Sequence, residues 1–214
     1  MGFAPVGAAA QAQNADADFP DTLVDTKPRD ITPLPMNPDG SAPEYPPSSL
    51  TPEADFGVND HLGSKKAQVE LDPAKARIRI YGNVMGQRGS LRLQHLQTLP
   101  PHSQITKLQC GSPKPSGIEK WSGVRFSDVC RLLKVDPMAR YVMFVGADGY
   151  ISTEPMSIAM HPQTLLVWQM NDKPLTEGHG APFRMILATQ WGGRSTKRLE
   201  QIRFTATSFS YNNS

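Results

Sequence analysis

TKLQCGSPKPSGIEKWSGVRF, residues 106–126, holds one of the chain's two cysteines between a strand pattern and a helical one. It opens as a strand, breaks directly after Cys110 into a loop rich in glycine, serine and proline, and closes on Trp121 and Gly123 before a helical pattern. Glycine and proline at this density punctuate a strand. Cys110 is therefore expected at a strand end, its thiol presented to a loop with little bulk behind it. Such a thiol reacts or binds metal as the thiolate, whose free pKa of about 8.5 has to be lowered by cations, backbone amides or a metal. Lys107, Lys114 and the loop amides can serve. The plainer reading is a small buried hydrophobe. A cysteine hydrolase would need an imidazole base in reach, and His61, His95, His102, His161 and His179 stand in no recognisable hydrolase context.

The chain has only one other cysteine, Cys130, on a helical pattern beside Leu133, where it reads as a small buried residue. Two cysteines are too few for a disulfide scaffold and fit no zinc spacing, though a single Cys110–Cys130 bridge stays open. Working outward, residues 77–84 alternate as a half-buried strand. Residues 86–89 read as a turn, 90–93 as a short strand, and Leu93, Leu96 and Leu99 as a brief helix stopped by Pro100-Pro101. Residues 103–109 deliver Cys110. Beyond the loop, Ser127 is the expected N-cap of a short helix, and 141–145 reads as a fully buried strand. Residues 150–153 extend again, 158–160 form a helical turn, and 165–170 and 173–175 flank the turn Asn171-Asp172. Residues 183–188 and 199–207 are the last strands. The pattern is α+β, mixed and strand-rich, with no internal repeat and no dinucleotide fingerprint.

Composition divides the chain. Of the 20 prolines, 10 fall in the first 52 residues, a stretch too poor in apolar pattern to offset its ordering entropy. Residues 1–13 are expected to be the remnant of a secretory signal, with Ala10-Gln11-Ala12 as a small-x-small site. Residues 14–52 form a Pro-rich extended arm, either a linker or a strap wrapped on the domain, and 53–214 form the folded domain. A net charge of +2 with dispersed Lys and Arg gives no nucleic-acid footprint. No apolar run reaches the roughly 18 residues of a spanning helix.

Two further segments carry polar chemistry. His179-Gly180-Ala181-Pro182-Phe183-Arg184 combines a glycine, which lets a ligand approach the backbone, with imidazole and guanidinium donors. Gly192-Gly193-Arg194-Ser195-Thr196-Lys197 repeats that chemistry in a form suited to an oxyanion. Trp121 is expected as a core anchor. Tyr150, in Asp-Gly-Tyr, sits where a hydroxyl can project into a cleft.

In this order the segments FGVNDH (56–61), LQC (108–110), WSGV (121–124), DGY (148–150), MHPQTLLVWQMNDKPL, HGAPFR and GGRSTK resemble the molybdopterin-binding domain of the sulfite oxidase superfamily. The similarity spans roughly residues 50–204, and ordered agreement of several segments is more specific than one motif. The resemblance implies a sulfite-oxidase-type fold preceded by the Pro-rich arm, and the molybdenum cofactor with Cys110 as its ligand beside the pterin dithiolene sulfurs. Soft thiolate ligation suits such a metal. It also implies Asn59, His61, His179, Arg184, Ser195 and Lys197 as cofactor contacts, Tyr150 and Arg194 at the substrate face, and Trp121 as a pocket wall.

The activity so implied is oxygen-atom transfer on a small sulfur oxyanion, sulfite being the first expectation, with electrons passed to a separate carrier such as a c-type cytochrome. Export to the periplasm follows from the signal-like start and the resemblance. The chain closes soon after its last strand and holds no CxxCH, so neither a C-terminal dimerisation domain nor an attached haem is expected. Sulfite oxidases carry arginines where this chain has Asn59 and residues 112–115, of which only Lys114 is cationic. That departure gives weight to a sulfoxide substrate, as in methionine-sulfoxide reductases of the superfamily, and to a non-catalytic module that binds a pterin or a partner.

Overall fold

The computed structural model describes residues 33–52, 55–58, 69–86, 89–110 and 116–207, all within the unit Thr32–Ser214. Two five-stranded sheets organise them. The first runs β2 (Gly89–Leu91), β1 (Ile78–Gly82), β10 (Leu199–Thr205), β5 (Tyr141–Gly146) and β6 (Ile151–Pro155). β1 and β10 pair parallel, and the other neighbours pair antiparallel. The second runs β3 (Pro101–Gln109), β4 (Ser116–Arg125), β7 (Thr164–Met170) and β8 (Lys173–Pro174), with β9 (Arg184–Leu187) also on β7. Short helices α1 (Leu93–Leu96), α2 (Phe126–Leu133) and α3 (Met156–Ala159) fill the connections.

The second sheet is buried on both faces, because its strands divide two cores by their period of two. Leu165 and Val167 of β7 and Ile186 of β9 pack with Leu108, Trp121, Phe56 and Leu175. Leu166, Met185 and Leu187 point the other way, into the larger core with Phe126, Phe144, Phe204 and Leu133. Each such side chain contributes about 1.5–3 kcal/mol on burial.

The stretch before the helix, expected as a loop closing on Trp121 and Gly123, is a strand from Ser116 onward. β4 is a ten-residue strand with Trp121 in its middle, facing Gln104 of β3 and Met170 of β7. Its glycines are packing requirements. A Cβ at Gly117 would lie 2.4 Å from the Phe56 ring, and one at Gly123 would lie 2.1 Å from the Leu166 carbonyl oxygen. Ser127 is not the N-cap. α2 begins at Phe126, with Arg125 in the cap position and no side-chain cap bond, because the buried Phe126 and Val129 fix the helix by packing. β5 is not buried throughout either, but alternates, since only one face of its sheet meets the core. The turn Asn171-Asp172 holds, both residues taking positive φ (52° and 63°) between β7 and β8.

Residues 42–51 lie against the second sheet, with a bridge between Glu44 and Thr106. Gln163 clamps the Ala42 backbone, accepting from its N–H at 2.8 Å and donating to its carbonyl at 2.8 Å. Tyr45 N–H donates to the Ile105 carbonyl, and Thr51 N–H to the Ile118 carbonyl.

Candidate active site around Cys110

Cys110 follows the last residue of β3, half-buried and unbridged, and Cys130 is also free and buried in α2. The bridge between them is not made. Across from Cys110 stands Gly192, where a Cβ would lie 3.1 Å from the thiol sulfur and 3.3 Å from Leu108. Any larger residue would fill the space before the thiol. Burial pushes the thiol pKa up, while the charges of Arg184 and Lys197 pull it down.

β9 supplies Arg184 from the face shared with Ile186. The guanidinium is 3 % exposed and lies 5.0 Å over the Trp121 ring. It donates from Nη1 to the His179 carbonyl at 3.0 Å. Its Nε has no hydrogen-bond partner among the described residues, and no described carboxylate pairs with it. Burial lowers its pKa to about 10, opposed by Cys110, and it remains a cation at neutral pH. Trp121 is fully buried, its Nε1 also without a partner among the described residues. A buried unpaired donor costs roughly 1–3 kcal/mol, and a buried cation without a counter-charge more. Both are reasons for an anionic or acceptor-bearing ligand at this spot.

His179 stacks on Phe56, with centroids 5.3 Å apart and planes at 10°, and its Nδ1 meets Thr176 Oγ1 at 2.8 Å. The next residue, Gly180, has φ +101°, and a Cβ there would lie 2.9 Å from the Lys197 side chain. Lys197 Nζ donates to the Gly178 carbonyl at 2.6 Å. Ser195 is buried, its Oγ accepting from Leu187 N–H at 3.1 Å.

A 3-10 turn, Gly192–Arg194, carries the opposite wall. Tyr150, placed by the turn at Gly149 (φ +85°), donates its hydroxyl to the Gly193 carbonyl. Burial raises the phenol pKa, with Arg194 opposing and Cys110, Glu154 and Asp148 adding to the rise, so it stays protonated at neutral pH. Arg194 is turned onto β6: Nε lies 2.7 Å from Glu154 Oε1 and Nη2 donates to the Thr153 carbonyl at 2.6 Å.

Cys110, Trp121, Tyr150, His179, Arg184, Arg194, Ser195 and Lys197 thus gather around the end of β3, whereas Asn59, His61 and Lys114 lie outside the described residues. The sequence reading passed over Glu154, and it named Gly192 only as part of a polar glycine loop, not as the residue facing the thiol. Glu154 had one signal: in β6 the inward positions are Ser152 and Glu154, and the apolar Ile151 faces out.

Among the described residues no three His, Cys, Asp or Glu side chains converge on a metal position. A metal held by side chains alone needs about four donors. One thiolate suffices only where the metal arrives with its other ligands in place. That donor set, the glycine-walled space before Cys110, and the unpartnered Nε of Arg184 and Nε1 of Trp121 fit a pterin-bound metal.

The family described as oxidoreductase molybdopterin binding domain matches residues 65–212. A chain of Azospira oryzae bearing the name of a protein-methionine-sulfoxide reductase subunit is 32 % identical over 170 residues, 79 % of this chain and 63 % of that one. Mitochondrial sulfite oxidase of Drosophila melanogaster is 30 % identical over 71 % of this chain and 30 % of its own length. The chain therefore spans less than two thirds of either relative. The sulfane dehydrogenase SoxCD of Paracoccus pantotrophus shares the fold, with a TM-score of 0.59 at 18 % identity, over 65 % of this chain and 40 % of that one. No helix among the described residues is long and apolar enough to cross a membrane. With the site and these likenesses together, the chain belongs to the molybdopterin-binding oxidoreductase domains of the sulfite oxidase superfamily, whose cofactor is the molybdenum cofactor.

Proposed function

We propose that this domain transfers an oxygen atom to or from the sulfur of a small molecule at a molybdenum centre held by Cys110. The observation that carries the reading is a half-buried thiol at a strand end that faces Gly192, its pKa raised by burial and opposed by the charges of Arg184 and Lys197. When bound, the cofactor supplies two-electron oxygen-transfer chemistry. The chain supplies the rest. Cys110 would hold the metal as its thiolate, a form that burial opposes and the charges of Arg184 and Lys197 favour. Arg184, Trp121, His179, Ser195 and Lys197, with Asn59 and His61, hold the pterin and its phosphate, and the buried Trp121 ring walls the pocket. Tyr150 keeps its phenolic proton, which rests on the Gly193 carbonyl and would have to turn from it to donate to a substrate oxygen, since a phenol has a single donor.

The first reading is sulfite dehydrogenation: sulfite and water give sulfate, two protons and two electrons, which leave to a separate carrier such as a c-type cytochrome. The second is sulfoxide reduction, in which a sulfoxide takes two electrons and two protons to give sulfide and water. Arg194 favours the second, because its charge is already met by Glu154, and the Azospira oryzae relative bears a name of that kind. Location in the periplasm is supported by the Ala10-Gln11-Ala12 triplet. Steady-state assays decide: sulfite with cytochrome c against dimethyl sulfoxide with a reduced dye. Turnover in one arm assigns the direction, and turnover in neither contradicts the proposal.

A further inference from the structure

We propose that Glu154 sets the substrate class of this site: by occupying Arg194 it makes the substrate face neutral, so the site takes an uncharged S=O group and disfavours sulfur oxyanions. This rests on the oxygen-transfer reading above and sharpens it.

The pair is built into the wall. Glu154 is a core-facing residue of β6 with its side chain 1 % exposed, while the Arg194 side chain is 45 % exposed. Glu154 Oε1 accepts from Arg194 Nε at 2.7 Å and from Ser152 Oγ at 2.7 Å. Arg194 is held a second time, by the Thr153 carbonyl at 2.6 Å. Its turn is also fixed on either side of the reacting position: Gly193 takes the Tyr150 hydroxyl, and Gly192 faces the Cys110 sulfur.

Charge decides the consequence. A carboxylate this buried cannot exchange its partner for water, and pulling Arg194 away would leave an uncompensated buried charge. An incoming oxyanion must therefore accept a guanidinium whose charge is already cancelled, with a fixed carboxylate behind it. Arg184 does not replace it, being buried over Trp121, and Lys197 Nζ is held on the Gly178 carbonyl. A sulfoxide oxygen asks for less. It is a neutral acceptor, and a guanidinium carries five N–H donors, of which the Glu154 and Thr153 contacts engage only those on Nε and Nη2.

The test titrates sulfate, an unreactive dianion, into the holoenzyme by calorimetry. Glu154→Gln keeps the shape and removes the charge, and should bind sulfate at least tenfold more tightly than wild type. Glu154→Asp should stay near wild type, and Glu154→Gln/Arg194→Gln should lose the gain. The ratio of kcat/KM for sulfite to that for dimethyl sulfoxide should rise at least tenfold in Glu154→Gln, mainly through KM for sulfite. Equal sulfate affinity in wild type and Glu154→Gln overturns the proposal. Should Glu154→Gln fail to fold, wild type alone decides, since it should bind dimethyl sulfoxide at least tenfold more tightly than sulfate, and the reverse order overturns it. A wild type that turns over neither substrate defeats the functional reading, while the sulfate titration still judges Glu154.

Discussion

Burial raises the pKa of both thiols, but only Cys110 has cations beside it to oppose the rise. Cys130, with none, is pushed up to about 12 from 9.0. The sign follows from proton counts. Above pH 9 the unfolded chain loses the Cys130 proton while the folded chain keeps it. Stability from this residue is therefore full below pH 9 and falls by about 1.4 kcal/mol per pH unit from there to pH 12. Cys130→Ala should retain activity and cost about 1–2 kcal/mol at pH 7 from lost packing, with the deficit shrinking between pH 9 and 10.5. Denaturant titrations at the two ends check this, and a deficit independent of pH contradicts it. Residue type and a strand-ending loop made Cys110 legible in the sequence, but no spacing announces that Arg194, in its 3-10 turn, will meet Glu154 of β6, 40 residues earlier in the chain.

β1 was readable from alternation, and β3, β7 and β10 as extended runs bounded by turns and loops, because each buries one or both faces against a core. β4 was misread for a physical reason. Its glycines look like turn punctuation in one dimension, yet Gly117 and Gly123 make room for the Phe56 ring and the Leu166 carbonyl. The turn Gly192–Arg194 has the same character, reading as a flexible polar loop while Gly192 within it and Ser195 at its end are buried. Gly192→Ala tests that element. The added methyl must displace Cys110 or the turn by a few tenths of an ångström, so the variant should lose about 1–3 kcal/mol of stability and retain less molybdenum on purification. An unchanged unfolding midpoint with full metal content would contradict the crowding.

Across the whole molecule, the site sits where one face of the second sheet meets the segments 178–184 and 192–197, and the strap at residues 41–51 braces the strands that carry it. Composition left linker and strap open for this arm. Residues 42–51 are bonded to Gln163 through Ala42 and to the sheet through Tyr45 and Thr51. Gln163→Ala removes both bonds to Ala42 and leaves the Ala42 N–H and carbonyl without them, which should cost about 1–3 kcal/mol. Hydrogen exchange at residues 42–45 should speed up at least tenfold, and unchanged exchange there would show that the clamp contributes nothing. The proposed Cys110–molybdenum bond is open to metal analysis of protein from a cofactor-competent host, wild type beside Cys110→Ser. Wild type should carry about one molybdenum per chain and a thiolate charge-transfer band, both lost or strongly reduced in Cys110→Ser because a hydroxyl is a poor soft-metal ligand. A Cys110→Ser protein with full molybdenum content, the same band and normal turnover would contradict it.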